Sequence, residues 1–199
     1  MSDKASRLRK ITVTAIMSAL ASVLMFIEIP IPIIPSFIKL DISELPALIT
    51  SFAYGPLWGV VVCLIKNLIH LTASTTAGVG ELANFFLGAV FVFISGIAYK
   101  KNHNRKSAFI GSLAGDLAMA VMAFVINLFI VYPIYMQILI PEEAILGMYQ
   151  TILPSVDSLW KAILIFNVPF TFVKGLISVG ITFLIYHKIS PILKGKKLS

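Results

Sequence analysis

ELPALITSFAYGPLWGVVVCLIKNLIHL, residues 44–71, decides how many times this chain crosses a bilayer. The stretch is largely apolar but is cut by Gly55-Pro56, and a proline cannot continue a helix without losing a backbone hydrogen bond. Read as one element it supplies a single crossing. Read as two, about 44–54 and 56–71, it supplies a pair of short helices that turn at one face. The placement of charge chooses between them. Twelve of the 16 Lys and Arg residues fall in three short clusters: Lys4, Arg7, Arg9 and Lys10; Lys100, Lys101, Arg105 and Lys106; Lys188, Lys194, Lys196 and Lys197. Each abuts a long apolar stretch, as cytoplasmic ends do. With the N-terminus and the 100–106 loop both cytoplasmic, the chain between them crosses an even number of times, so we read two short helices.

Working outward, four further stretches are long enough to span a bilayer at roughly 17–25 residues each: 11–29, 82–99, 107–132 and 161–187. The expected fold is all-α. It is a single polytopic membrane domain over 1–199 with six transmembrane helices, both termini cytoplasmic, and Tyr132, Tyr135 and Trp160 in an aromatic belt at the outer ends. Composition agrees. Hydrophobic residues make up 58% of the 199 positions and charged residues 13%, with a mean hydropathy of +0.95. A soluble domain carries about 25% charged residues, so this chain lacks the means to cover a water-facing surface. The net charge of +7 sets topology and is not spread as a nucleic-acid surface would be. The basic N-terminus resembles a signal peptide, but the apolar run 11–29 is too long and no small-x-small site follows, so it is read as a retained helix. The single Cys63 excludes a disulfide framework and a cysteine metal site.

In such a chain function shows as polar groups at membrane depth, where a charge costs about 2.5–3.5 kcal/mol near the midplane. Asn167, Thr171 and Lys174 in the last helix are spaced by four and three and share a face. Lys174 lies too deep to reach the interface and calls for a carboxylate partner or a ligand. Asn127 in the fifth helix either joins two helices or faces a ligand. Glu81 opens the fourth helix, where a carboxylate suits the helix dipole, and Asn84 shares its face at the mouth of a pocket. Lys66 and His70 are expected to pair with Asp41, Glu44 or Glu81. Loop one carries Pro30, Pro32, Pro35, Phe37 and Leu40 before Asp41 and Glu44, which have capping-box spacing. Its apolar, proline-stiffened run reads either as a lid over a cavity or as a loop resting on headgroups.

Catalysis has little to stand on. His70, His103 and His187 have no metal-ligand spacing, Asp116 is a lone acid in the fifth helix, and Gly78-Val-Gly80 follows no strand and is an incomplete nucleotide loop. We expect no catalytic, metal or cofactor site.

Five blocks carry a family resemblance: Phe37-Ile-Lys39-Leu-Asp41-Ile-Ser-Glu44-Leu-Pro46, Tyr54-Gly-Pro-Leu-Trp-Gly, Ile65-Lys-Asn-Leu-Ile-His70, Gly78-Val-Gly-Glu-Leu-Ala-Asn-Phe85 and Phe172-Val-Lys-Gly175. Together they resemble the substrate-binding S components of energy-coupling factor (ECF) vitamin transporters, above all the riboflavin-specific branch. The resemblance implies capture of extracellular riboflavin in a pocket capped by loop one. It further implies delivery with a transmembrane coupling protein of the EcfT type and two cytoplasmic ATPases of the EcfA type. This sequence has no Walker A pattern, so ATP hydrolysis falls to those partners. Asn127, Thr171, Lys174 and Asn167 are then expected at the isoalloxazine edge, since an Asn amide matches a donor and acceptor pair. Glu81 and Asn84 are expected at the ribityl hydroxyls, with Leu40 and Phe37 packed on the ring. Ala15 and Ala19, with Ser18 and Ser22 beside them, have the small-residue spacing of a docking face. Another vitamin (thiamin, folate or a biotin-like compound) and a sensor or scaffold without cargo are the alternatives; Lys174 argues against cationic thiamin.

Overall fold

Helix α1 (Asp3–Phe26) shows how the chain is turned inside out relative to a soluble protein. Its buried stripe includes Thr14, Ser18, Ala21 and Ser22, while Ile16 and Val23 are 59% and 58% exposed. Small and hydroxylated residues let helix backbones approach, and apolar side chains face outward, as lipid contact requires. Ser18 and Ser22 donate to the carbonyls of Thr14 and Ser18, each at 2.8 Å, so their hydroxyls need no partner from elsewhere.

The computed structural model describes residues 3–194; Lys196 and Lys197 of the third basic cluster lie outside the described residues. Chain order after α1 is a two-residue strand pair, β1 (Ile29–Pro30) and β2 (Lys39–Leu40), then α2 (Glu44–Tyr54), α3 (Pro56–His70), α4 (Val79–Asn102) and α5 (Arg105–Ile126). Short helices α6 (Tyr132–Ile138), α7 (Glu142–Gln150) and α8 (Leu159–Ala162) precede the long α9 (Val168–Lys194). The strands pair antiparallel, Ile29 opposite Leu40, and close the base of loop one. This small sheet has no counterpart in the sequence reading, because two residues carry no periodicity. The segment 133–160, between the expected spans 107–132 and 161–187, holds α6 and α7, with Tyr135, Ile145 and Tyr149 buried.

Among the described residues, five helices are long and apolar enough to cross a membrane. Helix α2 is not one of them: its 11 residues rise about 16 Å at 1.5 Å per residue. Every residue from Glu44 to Phe52 is buried, and α1, α3, α4 and α9 pack around it. A helix apolar on all sides belongs in the centre of a bundle. Gly55, at φ +107°, makes the turn into α3, where Pro56 begins the new helix with no N–H to leave unsatisfied.

Gly59 of α3 packs tightly on α2: a Cβ there would stand 2.8 Å from the Ala47 carbonyl oxygen and 2.7 Å from the Ser51 Cβ. Gly59→Val should cost about 1–3 kcal/mol through overpacking and lower the thermal midpoint in detergent. Gly147→Ala in α7 meets nothing within 4 Å and should be neutral or stabilising by up to about 1 kcal/mol. Equal midpoints for the two variants would show that α3 does not need this contact.

Candidate ligand cavity under loop one

Four ionised side chains meet where loop one enters α2. Lys174 of α9 donates to Asp41 Oδ2 at 2.8 Å and lies 3.3 Å from Glu44 Oε1. Lys66 of α3 donates to the same Glu44 oxygen at 3.0 Å and to the Ser43 hydroxyl. Asp41 Oδ1 accepts from the Ser43 backbone N–H at 2.8 Å and from its hydroxyl. Burial by itself raises the pKa of the Asp41 carboxyl, but the Lys174 and Lys66 ammoniums outweigh it and hold that pKa well below the usual carboxylate range. Asp41 and Glu44 therefore do not form a capping box. Ser43 takes the N-cap position without a side-chain cap bond, and both acids serve the two lysines.

Above this floor lies a cavity of about 150 Å³, walled by Phe37, Leu87, Met119, Tyr132, Tyr135 and Phe170. Asn84, Asn127, Asn167, Thr171 and Lys174 supply its polar lining. Two turns of π-helix present the asparagines: Asn127 opens the segment Asn127–Val131 and Asn167 closes Ile163–Asn167. Such bulges recur at functional sites because they break the α-helical register and re-aim a side chain. Asn167 is held in a ring: its Oδ1 accepts from the Tyr149 hydroxyl at 2.6 Å, its Nδ2 donates to the Tyr132 hydroxyl at 2.8 Å, and the two hydroxyls bond each other. Asn127 Nδ2 donates to the Ala123 carbonyl at 2.7 Å. Among the described residues, the Asn84 Oδ1 is buried without a hydrogen-bond partner.

A second, more polar cavity of about 110 Å³ adjoins the first, with Phe37, Lys39, Gly80 and Asn84 lining both. Glu81 faces this annex and not the main cavity; His70 at 2.9 Å, Ser74 at 2.8 Å and Thr76 at 3.2 Å hold its carboxylate. Leu40 is half-buried in β2 and lines neither cavity. Phe37 reaches in from loop one and meets the rings of Tyr132, Tyr135 and Tyr149 edge-on, with centroids 6.1–6.3 Å apart. On α1, Ala15 and Ala19 are exposed, whereas Ser18 and Ser22 turn into the bundle and are absent from that outer face.

Residues 9–186 match the family model for the ECF transporter, substrate-specific component. The chain belongs to that family. Riboflavin transporter RibU of Staphylococcus aureus (strain TCH60) is 30% identical over 186 residues, covering 94% of this chain and 93% of the relative. Riboflavin transporter FmnP of Bacillus subtilis (strain 168) is 30% identical over 188 residues, covering 93% and 94%. A solved structure, the S component of a bacterial ECF transporter, aligns with a TM-score of 0.74 at 30% identity, covering 94% of this chain and 99% of that one. This S component is thus a multi-pass protein of the bacterial cell membrane and the substrate-binding part of a transporter, not an enzyme.

Two features of the S component's cavity depart from the sequence reading. Tyr132 and Tyr135 do not stand in an aromatic belt; they are 1% and 4% exposed and form the cavity wall. Their three-residue spacing, shared face and position after Asn127 were the available signal. The floor is also electroneutral, two ammoniums against two carboxylates, so the charge argument against a cationic vitamin loses its premise. Lys174→Met should destabilise the protein by about 3–5 kcal/mol by leaving buried carboxylate charge unbalanced. Lys174→Met with Asp41→Asn should recover much of the loss. An unshifted melting midpoint in the single variant would remove Lys174 from the support of the fold.

Proposed function

We propose that this S component binds riboflavin in the cavity under loop one and works in an ECF-type uptake transporter with an EcfT-type membrane protein and two EcfA-type ATPases. The observation that carries the reading is the cavity's make-up. Aromatic and aliphatic side chains wall it, and Asn84, Asn127, Thr171 and Lys174 bring donors and acceptors to it. A flat, largely apolar ring with an amide-like edge has the complementary chemistry. The names of the RibU and FmnP relatives support the same choice of vitamin.

Capture requires movement. About 150 Å³ is below the roughly 300–1,000 Å³ of ligand pockets, and Phe37 is the part of the wall carried by a loop. Withdrawal of Phe37 and Lys39 joins the cavity to the annex, which places the ring below and the ribityl hydroxyls toward Asn84 and Glu81. The lid then closes over the ligand and excludes water, which strengthens each polar contact. Six crossings with cytoplasmic termini suit this arrangement: α2 and α3 form one short pair, and the described basic clusters lie at the end away from loop one. Ala15 and Ala19, exposed on α1, offer the close-approach surface for the coupling protein.

Riboflavin titrated into ligand-free protein should show saturable fluorescence quenching. Asn84→Leu should weaken it by at least about tenfold, a hydrogen bond's worth, without lowering the melting midpoint, because it removes a buried oxygen that has no protein partner. No quenching by well-folded wild-type protein would overturn riboflavin as the cargo. Ala15→Trp with Ala19→Trp should abolish co-purification with the coupling complex and leave riboflavin affinity unchanged. Intact co-purification would clear α1 of that role.

A further inference from the structure

Tyr149 of α7 is fully buried and lines neither cavity, yet its hydroxyl reaches the cavity wall from behind. It donates to Asn167 Oδ1 at 2.6 Å, Asn167 Nδ2 donates to the Tyr132 hydroxyl at 2.8 Å, and the two hydroxyls bond each other. The Tyr149 ring packs on Phe166, with centroids 5.3 Å apart, and is met edge-on by Phe37. Aromatic neighbours therefore fix where this hydroxyl stands. The three members of the circuit come from α6, α7 and the π turn that closes at Asn167.

The circuit has a direction. A hydroxyl has one proton to give, and Tyr149 gives its own to Asn167, so the proton between the two phenols belongs to Tyr132. The contact lengths agree: 2.6 Å is within the range for an O–H donor and below that for an amide N–H, whereas 2.8 Å suits an N–H. The Asn167 amide is thus held one way round, its oxygen toward Tyr149 and its nitrogen toward Tyr132, the tyrosine that lines the cavity. An amide nitrogen carries two protons, and the circuit uses one. Among the described residues, no acceptor takes the second. The other asparagines of the cavity differ: Asn127 Nδ2 is drawn back to the Ala123 carbonyl, and Asn84 Oδ1 is a bare acceptor.

We propose that Tyr149 is a positioning residue for the cargo site: from outside the cavity it orients the Asn167 amide, so that Asn167 offers an N–H to an acceptor on the ligand. A ring carbonyl oxygen or a bare ring nitrogen is such an acceptor. The assignment rests on the reading of this cavity as the riboflavin site and sharpens it. A ligand with a donor at that place would set two N–H groups against each other and leave both unpaired, so the contact selects as well as binds. Without the Tyr149 hydroxyl the amide loses its direction, because Tyr132 then gives its proton to Oδ1 as readily as it accepts from Nδ2.

The test is the Raman spectrum of riboflavin bound to the full-length protein in detergent, read beside its affinity. A donor hydrogen bond lowers the stretching frequency of the C=O or C=N group that accepts it. Tyr149→Phe removes the hydroxyl and keeps the ring that Phe37 and Phe166 meet. It should move at least one ring C=O or C=N band to higher frequency and weaken riboflavin binding roughly three- to tenfold, the scale of one hydrogen bond. Asn167→Asp serves if that variant folds poorly: its carboxylate accepts from both tyrosine hydroxyls but has no N–H for the ligand, so it should give the same band shift. A residue that only braced the fold would lower the melting midpoint and leave the bands of the bound flavin in place. Unmoved bands in both variants, with riboflavin bound, would overturn the assignment alone. Folded wild-type protein that takes up no riboflavin would overturn the capture reading, and this assignment with it.

Discussion

The placement of Asp41, Glu44, Lys66 and Lys174 within one buried cluster constrains the rest of the molecule. These side chains come from the end of loop one, the start of α2, α3 and α9, so three helices and the loop must converge for any of the charges to be neutralised. A single charge at this depth is strongly unfavourable, while a matched set with its hydrogen bonds is tolerated. The cluster thereby fixes where the loop lands. It also provides the level on which the cavity rests, because Lys174 and Glu44 line the cavity from below.

On that floor the walls follow from departures from regular helix. Two π-helical turns, in the α5–α6 and α8–α9 segments, bring Asn127 and Asn167 to the same space. The Tyr132, Tyr149 and Asn167 ring then locks the second of them in place. Asn127 spends its amide nitrogen on the backbone of its own helix. Loop one closes this wall with Phe37, which touches three tyrosines edge-on.

The class of protein was legible from composition and the clustered lysines and arginines, because a bilayer imposes apolar length and charge asymmetry on any sequence that crosses it. The shared face of Asn167, Thr171 and Lys174 was legible through helical spacing, which survives a local π turn at the end of the pattern, whereas Asn127, on another helix, joined them only through the family resemblance. Three things were not. The capping spacing of Asp41 and Glu44 is a local signal overridden by tertiary charge pairing with residues 22 and 133 positions away. Leu40 was assigned to the ring with the family resemblance, and in the structure it sits in a two-residue strand pair and lines neither cavity. Tyr132 and Tyr135 looked like interface aromatics because sequence position gives depth in the membrane but not the direction a ring points.

The burial of α2 on every side bears on how the protein is made. A segment with no lipid-facing surface and only 11 residues has little to recommend it to the machinery that inserts helices as they emerge. Its place is conferred by its neighbours, and one of them, α9, is synthesised more than 100 residues later. Until α9 arrives, Lys174 is absent and the charges on Asp41, Glu44 and Lys66 remain unbalanced. The centre of this bundle is therefore the last part to be completed, and a chain interrupted before α9 is an assembly intermediate with an open core.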